Sequence, residues 1–128
     1  MGARIRKYTY WILPYTQENI DRYKSKDNML RHARCEDGVF GQFYINKKSG
    51  RMVGYVGCEG DTIVALEIAD GFQGRGYSSR LIRYALRNGA YKLSVNKNNE
   101  HAIDVYKHMG FKVYDEDRNM LYMQKSPK

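Results

Sequence analysis

A glycine-containing segment near the middle of the sequence has residue types suited to binding phosphate. It reads Gln73-Gly74-Arg75-Gly76-Tyr77-Ser78, with a short apolar stretch before it and an amphipathic stretch after it. This pattern predicts a strand, a turn and a helix in succession. At such a junction, backbone N–H groups and the positive end of the helix dipole meet, and glycine lets a phosphate approach the backbone closely. Taken alone, the segment is equally consistent with a turn that binds no ligand.

Glu67 is a candidate for proton transfer. It lies between Leu66 and Ile68 in the apolar stretch before the glycine segment. Since successive side chains of a strand point to opposite faces, Glu67 should point away from its two neighbours. A carboxyl group in so apolar a strand either faces solvent or has a raised pKa that suits a proton acceptor. Both alternatives stay open at this point.

The histidines and cysteines do not indicate a metal site. His101 and His108 lie seven residues apart, whereas two metal ligands on one helix need a spacing of about three or four residues. We expect these two histidines and the isolated His32 to be solvated or to cap helices, and we expect no metal. Cys35 and Cys58 are too few for a disulfide framework, which is typical of reduced thiols in a cytoplasmic protein.

The charge and composition predict a soluble domain with an anionic partner. The formal net charge is +8 and apolar residues make up 42% of the chain. Basic residues are spread along the chain without a run of five, which favours a phosphate-rich cofactor and a solvated basic surface over a nucleic-acid-binding arm. No stretch approaches the ~20 apolar residues that span a bilayer. We expect one domain over residues 1–128, in the cytoplasm, with no membrane contact.

Hydrophobic periodicity and turn residues predict the order strand, helix, three-strand meander, helix, strand, helix and two strands. The predicted elements are a strand from Ile5 to Leu13, one or two short helices after an N-cap at Thr16, strands at Val39–Ile45, Met52–Val56 and Thr62–Ala69, a helix at Tyr77–Asn88, a strand at Tyr91–Val95, a helix capped by Asn99, and strands at Phe111–Tyr114 and Met120–Met123. This is a mixed α+β fold with helices on the faces of a sheet. The glycine segment lies where the meander gives way to a strand–helix–strand crossover, a favoured place for ligands.

Two motifs together resemble the GNAT superfamily of acetyl-CoA-dependent N-acetyltransferases. They are Gln73-x-x-Gly76-x-Ser78 and Asn99-x-x-Ala102-x-x-x-Tyr106-x-x-x-Gly110-Phe111. The resemblance covers about Arg51 to Gln124, and it implies a central mixed, mostly antiparallel sheet flanked by helices on both faces. Ser78 stands where the family usually has Gly or Ala. No motif before Val39 matches the family, so the acceptor stays open.

The resemblance implies that acetyl-CoA is the co-substrate and that its acetyl group passes directly to a primary amine of a small molecule or a protein. The residues expected to bind acetyl-CoA are Ile68, Ala69, Gln73, Gly74, Arg75, Gly76, Tyr77, Ser78, Asn99 and Tyr106. By resemblance, a backbone N–H near Ile68 polarises the thioester and Tyr106 protonates the leaving thiolate. Glu67 is the candidate base, with a water chain as the alternative, because Ser94 stands where family members often carry Glu.

Other functions stay open from the sequence. One alternative is an acyl-CoA-binding module that acts through a partner and turns over weakly, and Tyr106 argues against this alternative. Binding of nucleic acid is not expected, because the sequence contains no known nucleic-acid-binding motif. A homodimer is possible, since a strand near the C-terminus can pair across an interface.

Overall fold

The computed structural model describes residues 9–25, 27, 30–31 and 33–126. Its elements, in chain order, are β1 (Tyr10–Pro14), α1 (Gln17–Lys24), β2 (Phe40–Asn46), β3 (Met52–Glu59), β4 (Thr62–Ile68), α2 (Tyr77–Arg87), β5 (Lys92–Asn96), α3 (Glu100–His108), β6 (Phe111–Glu116) and β7 (Met120–Lys125). This is the order that the sequence predicts. The first part of the first predicted strand, Met29 of the helical segment and His32 lie outside the described residues. In the described part of the chain, no helix is long and apolar enough to cross a membrane.

Within the described residues, the seven strands form one sheet in the order β1-β2-β3-β4-β5-β7-β6. Every neighbouring pair is antiparallel except β4 and β5, which are parallel. The predicted mixed, mostly antiparallel sheet is therefore confirmed. The parallel pairing is short, since only Thr62 with Lys92 and Ile63 with Leu93 are in register. Beyond these two pairs the strands separate.

The two faces of the sheet carry separate apolar clusters, because successive side chains of a strand point to opposite faces. On β2, Tyr44 packs in a cluster that includes Leu81 of α2 and Ile103 of α3. Its neighbour Phe43 packs in a second cluster that includes Ile20 of α1. Helix α1 therefore covers one face and helices α2 and α3 cover the other, which confirms the predicted arrangement.

Three strands are longer than the sequence predicts. β7 continues to Lys125 instead of ending at Met123, β3 continues to Glu59 instead of Val56, and β6 continues to Glu116 instead of Tyr114. In β6 the register against β7 shifts between Val113 and Asp115, so that Tyr114 forms a bulge. The ends of β3 and β6 share a feature. Charged side chains at the ends of these two strands look like turn residues in the sequence, yet they are exposed and leave the backbone pairing intact.

The turn before α2 requires glycine for its backbone conformation. Gly74 has φ +75° and Gly76 has φ +86°, in the left-handed region that residues with a side chain rarely adopt. A Cβ at either position would meet no other atom within 4 Å, so the space above both residues is open. Gly76 is the N-cap of α2 and provides no side-chain cap. The first N–H groups of the helix are therefore left for another acceptor.

Candidate active site

A cleft of about 230 Å³ opens where β4 and β5 separate. Its walls are the end of β4, the turn before α2 and the first turns of α3. The lining residues are Leu66, Glu67, Ile68, Gln73, Gly74, Ser78, Asn99, His101, Ala102, Val105 and Tyr106. The structure thus brings most of the sequence-predicted site residues together. Ala69, Arg75, Gly76 and Tyr77 are not part of the cleft wall.

The end of β4 presents backbone groups to the cleft. The Ala69 N–H donates to the Val53 carbonyl at 2.9 Å, so it is used inside the sheet and is not available to a ligand. Because neighbouring residues of a strand direct their N–H groups to opposite sides, the Ile68 N–H points away from β3 and toward the gap. The Ile68 carbonyl on that side accepts a hydrogen bond from the Gln73 side chain at 3.3 Å. Of the two predicted backbone donors, Ile68 is the one that the geometry leaves available.

The mouth of the cleft is the turn from Gln73 to Ser78, followed by the N-terminus of α2. The first turn of α2 contains no acidic residue, so the helix dipole and the N–H groups make this end of the helix electropositive. Two side chains of the turn point elsewhere. The Tyr77 ring packs edge-on against Tyr10, with 5.4 Å between centroids, and the Arg75 guanidinium lies 5.6 Å from the Phe72 ring centroid. Tyr77 and Arg75 can therefore contribute to the mouth mainly through their backbone N–H groups.

Two predicted residues of α3 lie on the opposite wall. Tyr106 is buried, with 8% of its surface exposed, and its hydroxyl makes no hydrogen bond within the described residues. Burial raises the pKa of the Tyr106 hydroxyl, which keeps it protonated and able to donate at neutral pH. Asn99 is the N-cap of α3, where its side chain accepts from the Ala102 N–H at 3.2 Å. Asn99 also lines the cleft.

Glu67 is half-buried rather than solvent-exposed. Leu66 and Ile68 pack with the α2 and α3 cluster, while Glu67 lies opposite Tyr55 on β3. The buried Oε1 atom of Glu67 has no hydrogen-bond partner among the residues that the structure describes. Desolvation is the main cause that raises the pKa of the Glu67 carboxyl, and the negative charges of Asp27 and Asp70 add to it. Of the two alternatives left by the sequence, the structure favours the carboxyl with a raised pKa.

The structure adds one polar residue to the predicted site. His101 lies in the first turn of α3 and lines the cleft, and it is exposed, as the sequence predicts. The sequence does contain a signal for the position of His101. The Asn99 cap fixes the start of α3, and the i, i+4 spacing then places His101 on the same side of the helix as Val105. Ser94 on β5 is exposed and lies outside the cleft wall. Among the described residues, no group of three or more His, Cys, Asp or Glu side chains is arranged to hold a metal ion.

Comparison with known proteins identifies the family. Residues 6–111 match the model of the Acetyltransferase (GNAT) family. The match covers most of the chain, and the protein belongs to this family. A comparison with curated protein sequences finds no match.

Solved structures of acetyltransferases share the fold at low sequence identity. Nourseothricin acetyltransferase superposes with a TM-score of 0.58 and 23% identity, over 70% of this chain and 65% of that chain. Arabidopsis thaliana NAA60 in complex with acetyl-CoA gives a TM-score of 0.65 and 14% identity, over 91% and 97% of the two chains. The apo form of YjaB from Escherichia coli superposes with a TM-score of 0.66 and 19% identity, over 94% of this chain and 100% of that chain. The present chain thus spans only 65% of the length of nourseothricin acetyltransferase.

Proposed function

We propose that the protein transfers an acetyl group from acetyl-CoA to a primary amine by direct attack of the amine on the thioester. One observation carries the proposal. The cleft that opens between β4 and β5 combines an electropositive helix end at its mouth, a backbone donor at Ile68 and a protonated phenol at Tyr106. Acetyl transfer to an amine requires that the phosphates are bound, that the thioester carbonyl is polarised and that the leaving sulfur receives a proton. The helix end, the Ile68 N–H and the Tyr106 phenol can provide these three functions in that order.

Binding and polarisation rest on backbone groups. The N–H groups from Gln73 to Ser78 and the α2 dipole hold the pyrophosphate of acetyl-CoA. This arrangement directs the thioester end of acetyl-CoA into the cleft, where the Ile68 N–H donates to the carbonyl oxygen. That hydrogen bond strengthens as negative charge develops on the oxygen in the transition state. Tyr106 then donates its proton to the departing sulfur.

The amine must lose a proton during the transfer, and Glu67 is the proposed acceptor. Its raised pKa brings the carboxylate closer to the operating pH, where a base transfers protons most effectively. Glu67 and Tyr106 approach the cleft from opposite faces of β4, so that the acceptor and the leaving thiol occupy different sides. A chain of water molecules that carries the proton to solvent is the alternative.

The acceptor is proposed only as a primary amine of a small molecule or a protein. The structural relatives include a protein named for the small molecule nourseothricin and a protein solved with a bisubstrate analogue. Their low identity to this chain does not favour one acceptor class. A panel that contains monoamines, polyamines and peptides with a free N-terminus therefore belongs in the first assay.

The first experiment is a calorimetric titration with acetyl-CoA. Gly76→Glu places bulk and negative charge where the pyrophosphate should bind, and we expect it to abolish the binding of acetyl-CoA. Gly60→Glu is the matched control, because Gly60 also has a positive φ and open space around it but lies in the β3–β4 turn. Equal affinity of the wild type and both variants, or no binding by the wild type, would overturn the proposed cofactor site.

The second part of the same experiment measures turnover on the amine panel with Tyr106→Phe. Loss of a general acid should lower kcat by about 100-fold while the dissociation constant for acetyl-CoA stays the same. Wild-type protein that binds acetyl-CoA but acetylates no amine would point to a binding module that acts through a partner. Unchanged kcat in Tyr106→Phe would remove Tyr106 from the chemistry.

A further inference from the structure

Helix α2 carries a row of arginines on the face turned away from the sheet. The arginine row consists of Arg80, Arg83 and Arg87, and all three are exposed. At about 100° per residue they fall within an arc of about 60°, opposite the buried side chains of the helix. The sequence of α2, YSSRLIRYALR, contains no acidic residue. The charged residues on the outer surface of this helix are therefore all basic.

This arrangement works against the helix, because like charges at i, i+3 and i, i+4 repel each other. Arg83 is such a neighbour of both Arg80 and Arg87. Within the described residues, Arg83 and Arg87 form no ion pair, while Arg80 donates a hydrogen bond to the Tyr10 hydroxyl of β1. A basic surface that only keeps the protein in solution does not require this alignment, so the row calls for an anionic partner.

Helix α1 shows the contrasting arrangement in the same chain. Arg22 pairs with Glu18 at 3.5 Å, and Lys24 pairs with Asp21 at 2.8 Å. Each of these two cations on α1 thus has an acidic neighbour one turn earlier. Among the described residues, Arg83 and Arg87 of α2 have no such acidic neighbour, so the alignment of basic residues on α2 does not follow simply from the high net charge of the chain.

The arginine row begins beside the mouth of the cleft. Arg80 lies in the first turn of α2, directly after the segment from Gln73 to Ser78 that is proposed to hold the pyrophosphate. From Arg80 to Arg87 the row runs about 10 Å along the helix, at about 1.5 Å per residue. The row thus starts about one helical turn from the mouth, on the side of α2 opposite the cleft-lining Ser78, so that a partner on the row reaches the entrance of the cleft by extending around the N-terminus of α2.

We propose that the arginine row docks an acidic carrier protein whose acyl group is attached to a 4′-phosphopantetheine arm, so that the protein accepts a carrier-bound thioester as well as acetyl-CoA. The proposal rests on the function proposed above. The arm has the same phosphate, pantetheine chain and thioester as acetyl-CoA, and it differs in what lies beyond the phosphate. In the carrier this is an acidic protein surface, which would lie over the arginine row.

The spacing of the row favours a protein over a nucleic acid. Carboxylates at i, i+3 or i+4, and i+7 on a partner helix have the same separation as the three arginines. Three arginines neutralise about three phosphates, which is fewer than the ~6–10 phosphate contacts that make DNA binding strongly dependent on salt.

The reaction itself is balanced without a further reactant. The amine nitrogen bonds to the carbonyl carbon, the carbon–sulfur bond breaks, the amine loses a proton, and the carrier sulfur gains one.

The test uses a purified acyl carrier protein acetylated on its phosphopantetheine thiol. We compare wild type with the double variant Arg83→Glu and Arg87→Glu, since neither residue lines the cleft. The control is the double variant Lys48→Glu and Arg51→Glu, which changes the charge equally at exposed positions of the β2–β3 segment. We expect the row variant to bind the carrier at least about 10-fold more weakly, with a reduced salt dependence. The control variant should bind the carrier like wild type, and all three proteins should bind acetyl-CoA with the same affinity.

Three outcomes would overturn the proposal. The first is that wild type binds acetyl-CoA but not the acetylated carrier. The second is that the row variant loses acetyl-CoA affinity as much as carrier affinity, because the row would then bind the nucleotide of CoA. The third is that a single-stranded oligonucleotide binds more tightly than the carrier and loses its binding in the row variant. Wild type that binds neither donor would instead overturn the proposed function on which this inference rests.

Discussion

We expect the carboxyl group of Glu67 to reduce the stability of the fold at the pH where it is ionised. It is half-buried, its Oε1 has no partner among the described residues, and Asp27 and Asp70 repel its charge. An ionised carboxylate in such surroundings costs free energy because its hydration is lost without full compensation. A destabilising residue at the floor of a cleft is consistent with a role in proton transfer.

Replacing Glu67 with glutamine should therefore raise the free energy of unfolding at neutral pH. The pKa of the carboxyl is raised in the folded state, so the folded state binds the proton more tightly than the unfolded state does. Stability then falls as pH rises from the unfolded pKa through the folded pKa. The advantage of the Glu67→Gln variant should be present at about pH 7 and vanish at about pH 3, where the wild-type carboxyl is protonated in both states.

Urea unfolding of wild type and Glu67→Gln at both pH values checks this prediction. Glu59→Gln is a suitable control, because Glu59 is exposed at the end of β3 and should show little difference at either pH. A glutamine variant that is less stable than wild type at neutral pH would mean that the Glu67 carboxylate has a stabilising partner. A lower kcat in the same variant, with unchanged affinity for acetyl-CoA, would support its role as the base.

Residue type and local geometry were sufficient to single out the glycine segment with Gly74 and Gly76, whereas the roles of Gln73 and Tyr106 were implied by the resemblance of the two motifs to the GNAT superfamily. A positive φ requires glycine, and helical spacing fixes which residues share a side. Helical spacing puts His101 on the same side of α3 as Val105, but local geometry alone does not decide whether His101 meets the cleft or whether the Ala69 N–H is available. Whether the Ala69 N–H is used depends on its pairing with β3, and whether His101 meets the cleft depends on how α3 packs across β4 and β5.

The close packing of β3 against β4 fixes the shape of the cleft floor. A Cβ on Gly54 would lie 2.7 Å from Cδ1 of Ile68 and 2.9 Å from the carbonyl oxygen of Glu67. Side-chain atoms can rotate away, but the carbonyl oxygen moves only if the strand moves. Glycine at position 54 therefore keeps the end of β4 where the Ile68 N–H faces the cleft.

We expect Gly54→Ala to lower the free energy of unfolding by about 1–3 kcal/mol and to weaken the binding of acetyl-CoA. The first effect is overpacking and the second is displacement of the backbone donor at Ile68. Thermal unfolding and calorimetric titration measure the two effects separately. Gly60→Ala, in an open turn, should leave the affinity unchanged, and an unchanged affinity in Gly54→Ala would show that the cleft tolerates movement of β4.

The elements themselves were largely predictable from the sequence, since their signals are local. Thr16 and Asn99 cap α1 and α3, and Gly89 with φ +87° follows α2. The position of β7 between β5 and β6 was not predictable. After α3 the chain forms β6 at the sheet edge and then returns as β7, which pairs with β5. This arrangement depends on tertiary packing, and no turn residue in the sequence indicates it.

At the scale of the whole molecule, charge is the property that bears most directly on the proposed function. The formal net charge is +8, and acetyl-CoA is anionic through its phosphates. A field of one sign over the surface raises the rate at which an oppositely charged ligand reaches its site, and salt screens this effect. The charged side chains need not contact the ligand, so the increase in association rate cannot be assigned to a single residue.

The association rate constant for acetyl-CoA should therefore fall by about threefold to tenfold between ~0.02 M and ~0.5 M salt. The dissociation rate constant should change much less, because it depends on contacts inside the cleft, where screening is weaker. Stopped-flow measurement of both constants provides the test, and acetyl-pantetheine, which has the thioester but no phosphate, is the matched ligand control. Its association rate should not depend on salt. If acetyl-CoA behaves in the same way as this control, the basic surface does not guide the cofactor, and the positive charge would have to serve a different partner.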